Sequence, residues 1–381
     1  MNDIFNGAKN LGFGMMRLPS LDPEDPGKID FEQAQKMVDK FIERGFTYFD
    51  TALMYCNSKS ERAVKTLLTD RYPREAFTVA TKLHSMYLRN DGDPDSLFAK
   101  QQERTGLEYF DYYLIHDINS HSIEKYNKFG VFEWLKAKKA AGLVKHIGFS
   151  FHDTPELLDQ ILTEHPEMEF CQIQLNYLDY NNPAIRSREC YEVAVKHNKP
   201  VIIMEPVKGG TLVNVPDEVK DLFRAHDPNM SVASWAVRFA ASHDNVRMVL
   251  SGMTTEPQLE DNTSFMQNFK PLTEEEKQMV MKAADIINAS TAIPCTGCSY
   301  CTEGCPKHIA IPKYFALYNA ELKEDPDNKK PWTPQKEYYV NVAKHFGKAS
   351  DCVFCGQCEG VCPQHLHVTE YLKDVKVRFE Q

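Results

Sequence analysis

The chain has 381 residues, enough for one large domain with a smaller module appended, and its 42% hydrophobic and 26% charged residues are those of an ordinary globular protein. A net charge of -10 gives no reason to expect nucleic acid or an anionic membrane as a partner. The opening stretch MNDIFNGAKN lacks the basic flank and apolar core of a signal peptide, and no apolar run is long enough to span a bilayer, so a cytoplasmic location is expected.

Short apolar, β-rich runs alternate with helical patterns along the first 290 residues. LGFGMMRL (11–18) supplies a first strand. FEQAQKMVDKFIERG (31–45) places Phe31, Ala34, Met37, Val38, Phe41 and Ile42 on one helical face, and Gly45 ends it. Further strands are expected in GFTYFD, ending at Asp50, AFTVATK at Lys82, DYYLIH at His116, VKHIGFS at Ser150, EFCQIQ at Gln174, KPVIIM at Met204 and VRMVLSG at Gly252. Between them SERAVKTLL, FEWLKAKKAAG and NMSVASWAVRFAAS read as amphipathic helices, with Trp134 and Trp235 as packing residues. Eight strand–helix units in under 300 residues predict a (β/α)8 TIM barrel over residues 1–272. The rival, a doubly wound open sheet, usually opens on G-x-G-x-x-G, and only the fragment GFGMM is present. Asp50, Lys82, His116 and Ser150 each fall at the C-terminal end of a strand, the edge where barrel enzymes place their chemistry.

FDTALMYCNSKSE (49–61) adds Tyr55 to that edge. Reduction of a carbonyl by hydride needs an acid to protonate the forming alkoxide. A free phenol, with a pKa of about 10, is a reluctant donor at neutral pH, but a neighbouring Lys82 ammonium would lower it. Asp50 would hold Lys82 charged, and His116 would orient the carbonyl oxygen. GFGMMRLP, FDTALMY with the following SE, VATK, DYYLIH, HIGFSFHD, QIQLNY, MEPVKGGTL and SGMTTEPQLEDN, in that order, resemble the aldo-keto reductase family over roughly residues 10–265. The resemblance implies Tyr55 as general acid and base, a small-molecule carbonyl or alcohol substrate, and a nicotinamide cofactor.

The resemblance also implies cofactor contacts, and several depart from the family's pattern. Ser150 keeps the family's Ser, but Phe151 replaces its Asn. Gln172 matches the Gln that holds the carboxamide, and Met204, followed by Glu205 and Pro206, stands where a tyrosine often stacks on the nicotinamide. Gly252 and Gln258 occupy the positions of the Lys and Arg that hold the 2'-phosphate of NADPH, which leaves that phosphate without charge-assisted partners. NAD(H) is therefore expected over NADP(H). Asp261 and Asn262 match the residues at the adenine end, and Met15 and Arg17, after the first strand, are expected at the barrel mouth. Cys56 reads as a small loop residue rather than a redox thiol. His84 is a candidate pocket residue, and His152 with Asp153 begins a helix-capping stretch.

Eight of the eleven cysteines lie between Cys295 and Cys362, in CTGCSYCTEGCP and CVFCGQCEGVCP. Both runs read C-x2-C-x2-C-x3-C-P, the spacing of bacterial-type [4Fe–4S] ferredoxins, in which the fourth cysteine serves the other cluster. A zinc module, the alternative, favours finger-like pairs of ligands. Cys295, Cys298, Cys301 and Cys362 are thus assigned to one cluster, and Cys352, Cys355, Cys358 and Cys305 to the second. About 45 residues separate the runs. IPKYFALYNAELKE and KEYYVNVAKHF have helical spacing, and DPDNKKPWTP (325–334) reads as a loop, so residues 273–381 are expected to form a mainly helical dicluster ferredoxin-like domain.

Nicotinamide delivers two electrons together and a cluster passes one. The expected function is an oxidoreductase acting at Asp50, Tyr55, Lys82 and His116, with two [4Fe–4S] clusters that relay electrons to or from a ferredoxin or flavoprotein, or stabilise their domain. The alternative is an electron-transfer protein on an inherited barrel with little or no nicotinamide chemistry.

Overall fold

A computed structural model describes the chain apart from residues 1–3, 6, 23–24, 121, 183–184, 290–291, 294, 296, 298, 361 and 363–365, and the side chains of Tyr300 and Glu303. Eight parallel strands close into a barrel in sequence order: β1 (Leu11–Gly14), β2 (Tyr48–Asp50), β3 (Thr78–His84), β4 (Phe110–Ile118), β5 (Val144–Phe151), β6 (Phe170–Gln174), β7 (Val201–Met204) and β8 (Val246–Ser251), with β8 pairing back onto β1. The apolar runs form strands because both faces are covered, one by helices and one by the barrel interior. Inside the barrel Phe5, Tyr48, Tyr112, Leu114, Phe170 and Met248 share one buried cluster, with Phe5 stacked on Tyr112 at 5.3 Å. One strand interior leaves no room for a side chain: a Cβ on Gly148 would lie 2.6 Å from the Phe170 carbonyl oxygen and 2.7 Å from its ring.

The helix Phe31–Glu43 starts where Asp30 accepts from the Gln33 amide and stops before Gly45, whose φ is +79°. It buries Ala34, Met37, Val38 and Phe41, whereas Phe31, at its first position, is 41% exposed, contrary to the face drawn from the sequence. β3 and β4 run two residues beyond Lys82 and His116, so those side chains lie inside the strands, each one turn of the pleat short of the rim. LGFGMMRL is a strand only to Gly14; Met15–Arg17 is a 3-10 turn. SERAVKTLL is helical as expected, with a π-helical turn at Lys65–Thr69.

Two compact units emerge from the chain. One comprises residues 1–176, 189–206 and 233–274 and contains all eight strands. The other comprises 177–188, 207–232 and 275–381, so it draws in the stretches that follow β6 and β7 as well as the C-terminal module. Within it the helices Ile311–Glu324, Pro334–His345 and Val368–Phe379 share a core in which Tyr314 meets Tyr339 at 4.7 Å and Tyr339 stacks on Phe379 at 4.8 Å. Glu321 is buried there and accepts from Thr333 Oγ1 at 2.6 Å. No helix of the described residues is long and apolar enough to cross a membrane.

Replacing Gly148 by Ala forces the new methyl into the β6 backbone. A loss of about 1–3 kcal/mol is expected, read as a fall of several degrees in the thermal midpoint; an unchanged midpoint would show that the barrel wall yields there.

Candidate active site

β2, β3 and β4 bring Asp50, Lys82 and His116 to one edge of the barrel, because parallel pairing sets Asp50 beside Ala80 and Lys82 beside Leu114. Lys82 Nζ donates to Asp50 Oδ1 at 2.6 Å and to the Thr51 carbonyl at 2.9 Å, and both side chains are buried. Tyr55 is half-buried, with its ring centroid 4.7 Å from Lys82 Nζ and 5.9 Å from the His116 ring. Burial opposes the charge on Lys82, but the Asp50 carboxylate and the Tyr55 phenol together hold its pKa above the usual lysine value. Burial holds the Tyr55 phenol above its usual value, with Lys82 pulling the other way. Contrary to the expectation that Lys82 lowers the phenol below its free value, burial outweighs the ammonium. Burial, with His84 and Lys82 adding to it, keeps His116 well below the usual histidine value, so the ring is neutral at pH 7. Among the described residues His116 Nδ1 and Asp50 Oδ2 are buried without hydrogen-bond partners.

The turn after Tyr55 is the unusual element. Cys56, Asn57 and Ser58 are three successive residues at positive φ (50°, 50° and 61°), none of them glycine. Each such residue costs about 1–3 kcal/mol and persists only where its surroundings over-determine it. Cys56 Sγ lies 3.4 Å from the Met15 carbonyl, and Ser60 Oγ donates to that carbonyl at 2.9 Å. Asn57 donates to Asp25 at 2.7 Å, and Arg104 binds the Ser58 carbonyl while its Nε pairs with the buried Glu61 at 3.0 Å. Gln101 donates to Glu61 at 2.7 Å and to the Lys82 carbonyl at 3.0 Å, which ties the turn to the strand that carries the lysine. Glu61, Gln101 and Arg104 were not singled out from the sequence. The SE dipeptide was their only trace, since Gln101 and Arg104 sit on a helix forty residues away. Cys56 is buried and its thiol is pushed up by that burial, in keeping with a packing residue.

His84 lies edge-on to His116, with ring centroids 5.1 Å apart and Nε2 3.6 Å from Asp117 Oδ2. Asp117, absent from the sequence reading, sits at φ 53° directly after His116. Burial opposes its charge, but His84 and the neighbouring imidazoles hold its carboxyl well below the usual range. Asp153 accepts from Ser120, and the helix beyond it is capped by Thr154.

On the other side of the rim, Gln172 Nε2 lies 3.6 Å from Met204 Sδ, and Gln172 Oε1 is buried with no hydrogen-bond partner among the described residues. Ser150 Oγ accepts from the Asp117 amide at 2.7 Å, which leaves its proton to donate. An orphaned acceptor beside a hydroxyl donor fits a carboxamide such as that of nicotinamide. Glu205, at φ 57°, accepts from Asn176 through its carbonyl at 3.2 Å, and Pro206 follows it, buried. Met15 is buried and Arg17 exposed, and a Cβ on Gly252 would touch the Arg17 side chain at 3.1 Å. The Arg17 stem thus lies along the position where the sequence offered no cation. Gln258 is held in a capping box with Thr255. Asn262 is buried and donates to Ser251 Oγ at 2.9 Å, and Asp261 is half-buried.

In the C-terminal module Cys305, Cys352, Cys355 and Cys358 line one small cavity with apolar walls from Ile309, Ile311 and Leu372. Four thiols, these walls and an amide contact from Ile309 to Cys305 Sγ at 3.5 Å fit a [4Fe–4S] cluster. Cys301 is buried, Cys295 and Cys362 half-buried, all against the same core; Cys298 lies outside the described residues. The two cysteine runs share a backbone signature. The second residue after the first cysteine and the fourth are left-handed in both: Gly297 (φ 73°) and Ser299 (65°) in one, Phe354 (57°) and Gly356 (73°) in the other. Each run then enters a short helix, Tyr300–Glu303 and Gln357–Gly360.

Residues 10–285 match the family model described as Aldo/keto reductase family, and 294–366 match that for a 4Fe-4S dicluster domain. The chain belongs to the aldo/keto reductase family. An aldo-keto reductase of Mycobacterium avium (strain 104) is 28% identical over 191 residues, 50% of this chain and 62% of that relative, so the chain spans less than two thirds of its length. Among solved structures, an aldo-keto reductase from Bacillus halodurans in its holo form aligns with TM-score 0.59 at 23% identity, covering 72% of this chain and 91% of that one. One from Klebsiella pneumoniae in complex with NADPH aligns with TM-score 0.56 at 17% identity, covering 72% and 90%. At these identities the likeness establishes the barrel fold of this aldo/keto reductase.

The depressed pKa of His116 has a testable sign. Unfolded, the ring titrates near 6.5 and folded it does so lower, so it contributes stability present above pH 6.5 and lost as pH falls toward the folded value. The His116 ring is expected to be neutral at pH 6 by 15N chemical shift, and a ring protonated at that pH would contradict the assigned burial effect.

Proposed function

We propose that the protein is an oxidoreductase that interconverts a small-molecule carbonyl and its alcohol with Tyr55 as acid and base, and that two [4Fe–4S] clusters pass single electrons between it and a partner protein. The observation that supports the first part is the buried Lys82–Asp50 pair set beneath the Tyr55 ring and beside a neutral His116. A bound nicotinamide would supply the hydride. Ser150 and Gln172 would orient its carboxamide, with Met204 as an apolar contact. Tyr55, protonated at neutral pH, holds the proton that a new alkoxide requires, and Lys82 stabilises the phenolate left behind. Asp50 keeps Lys82 charged. His116, neutral, can hydrogen-bond the carbonyl oxygen without a charge of its own. The His84–Asp117 pair puts polar groups beside His116, which suits a substrate with hydrogen-bonding groups next to its carbonyl.

The cluster reading rests on Cys305, Cys352, Cys355 and Cys358 around one cavity. Cys295, Cys298, Cys301 and Cys362 would hold the second cluster. Relay is favoured over a purely structural role because Cys355 is exposed, which brings one cluster edge to the surface.

For the dinucleotide, Gly252 and the capped Gln258 offer the 2'-phosphate no cation at the two positions where the family carries one, and the Arg17 side chain lies against Gly252. Tryptophan fluorescence titration under anaerobic conditions should give tighter binding for NADH than for NADPH; NADPH binding as tight or tighter would assign Arg17 to the phosphate instead. Replacing Tyr55 by Phe should lower kcat for carbonyl reduction by about 10²–10⁴-fold, with dinucleotide affinity and cluster absorbance unchanged. A variant that keeps full turnover would remove Tyr55 from the chemistry.

A further inference from the structure

We propose that the surface around Phe354 is the port where a small acidic one-electron carrier protein docks to exchange electrons with the cluster held by Cys305, Cys352, Cys355 and Cys358. This deepens, and rests on, the reading of the clusters as a relay.

The argument begins with a residue in the wrong place. Phe354 lies between two cysteines of the cavity at φ 57°, where the matching position of the other run carries Gly297. A bulky side chain at positive φ is strained, and a buried contact could offset that strain. Phe354 has little of one: it is 55% exposed, and its neighbour Val353 is 53% exposed. A local rule is broken with no return in packing, and such positions concentrate at functional sites.

The surroundings specify the partner. Lys373 Nζ stands 5.0 Å over the Phe354 ring, and Lys307 lines the cysteine cavity. A parallel bridge joins Ile309 of the cavity wall to Gly347, and the residue before that glycine, Phe346, is 41% exposed with Lys313 Nζ 5.2 Å over its ring. Two exposed aromatic rings, each under a lysine, are thus borne on stretches tied to the walls of one cavity, on a chain whose net charge is -10. Glu370 pairs with Lys373 at 2.7 Å, and Asp351 and Glu359 stand next to Cys352 and Cys358, so the contrast rests on Lys307 at the cavity wall and on the lysine heads over the two rings. Exposed apolar tips with lysines over them suit a partner with an acidic rim and an exposed redox centre. The step needs no bond chemistry: the reduced carrier loses one electron, the cluster gains it, and no proton moves.

The probe is an acidic plant-type [2Fe–2S] ferredoxin, titrated anaerobically by calorimetry into the cluster-loaded full-length protein at low ionic strength. Saturable 1:1 binding is expected, weakened at least tenfold by the pair Lys307→Glu and Lys373→Glu, and at least tenfold on raising salt to about 0.5 M. Phe354→Gly, which copies the backbone choice of the other run, should keep the visible absorbance of both clusters and weaken binding several-fold. No saturable binding, binding insensitive to salt, or both variants within twofold of wild type would overturn the proposal. Dithionite bleaching of the visible cluster absorbance, followed on the same samples, separates the port from the relay reading on which it rests. Clusters that bleach reversibly in a protein that does not bind the ferredoxin would overturn the port alone, and clusters that cannot be reduced would overturn the relay and the port with it.

Discussion

A buried ammonium anchors the barrel site. Lys82 lies within a strand and away from water, where an unpaired charge is costly, and it remains charged because Asp50 and the Thr51 carbonyl accept from it. Its position follows from strand register, since β2 and β3 pair so that Asp50 and Lys82 converge. Everything chemical at the rim takes its reference from that charge: the phenol above it, the imidazole kept neutral beside it, and the backbone that must hold the phenol at the right distance.

The last of these is the least economical feature of the fold. Three left-handed residues in succession after Tyr55 would not persist in a free loop. They are held by a network from several elements: Met15 from the first strand's turn, Asp25, and Arg104 with Gln101 from the helix Asp93–Thr105, joined through the buried Glu61. Burial pushes the Glu61 carboxyl up while Gln101, Thr81 and Arg104 pull it down. Gln101 links this network to the Lys82 carbonyl, so the phenol and the ammonium are positioned by the same buried side chains.

The C-terminal module solves a similar problem by repetition. Two cysteine runs adopt left-handed backbone at the same two positions, with the glycine in the third place of one run and the fifth of the other. Turns of this kind aim successive amides into the concavity that an anionic cluster requires. The shared geometry explains why the spacing is the same. The exchanged glycine explains why the two loops present different surfaces, one of them carrying Phe354.

The sequence alone determined the strand order, the barrel, the four residues of the candidate site and the two cysteine runs, because each is written in local pattern: apolar runs of strand length, polar residues at or just before the ends of several of them, and thiols at fixed spacing. It did not determine what depends on distant residues meeting. Burial outweighs Lys82 at Tyr55, which no spacing reveals. Arg104 and Gln101 reach the turn after Tyr55 from a helix more than forty residues on, Arg17 lies along Gly252 from the opposite end of the barrel domain, and the stretches after β6 and β7 fold with the C-terminal unit. These were decided by tertiary structure, since desolvation, long-range hydrogen bonds and close approach exist only once the chain has closed on itself.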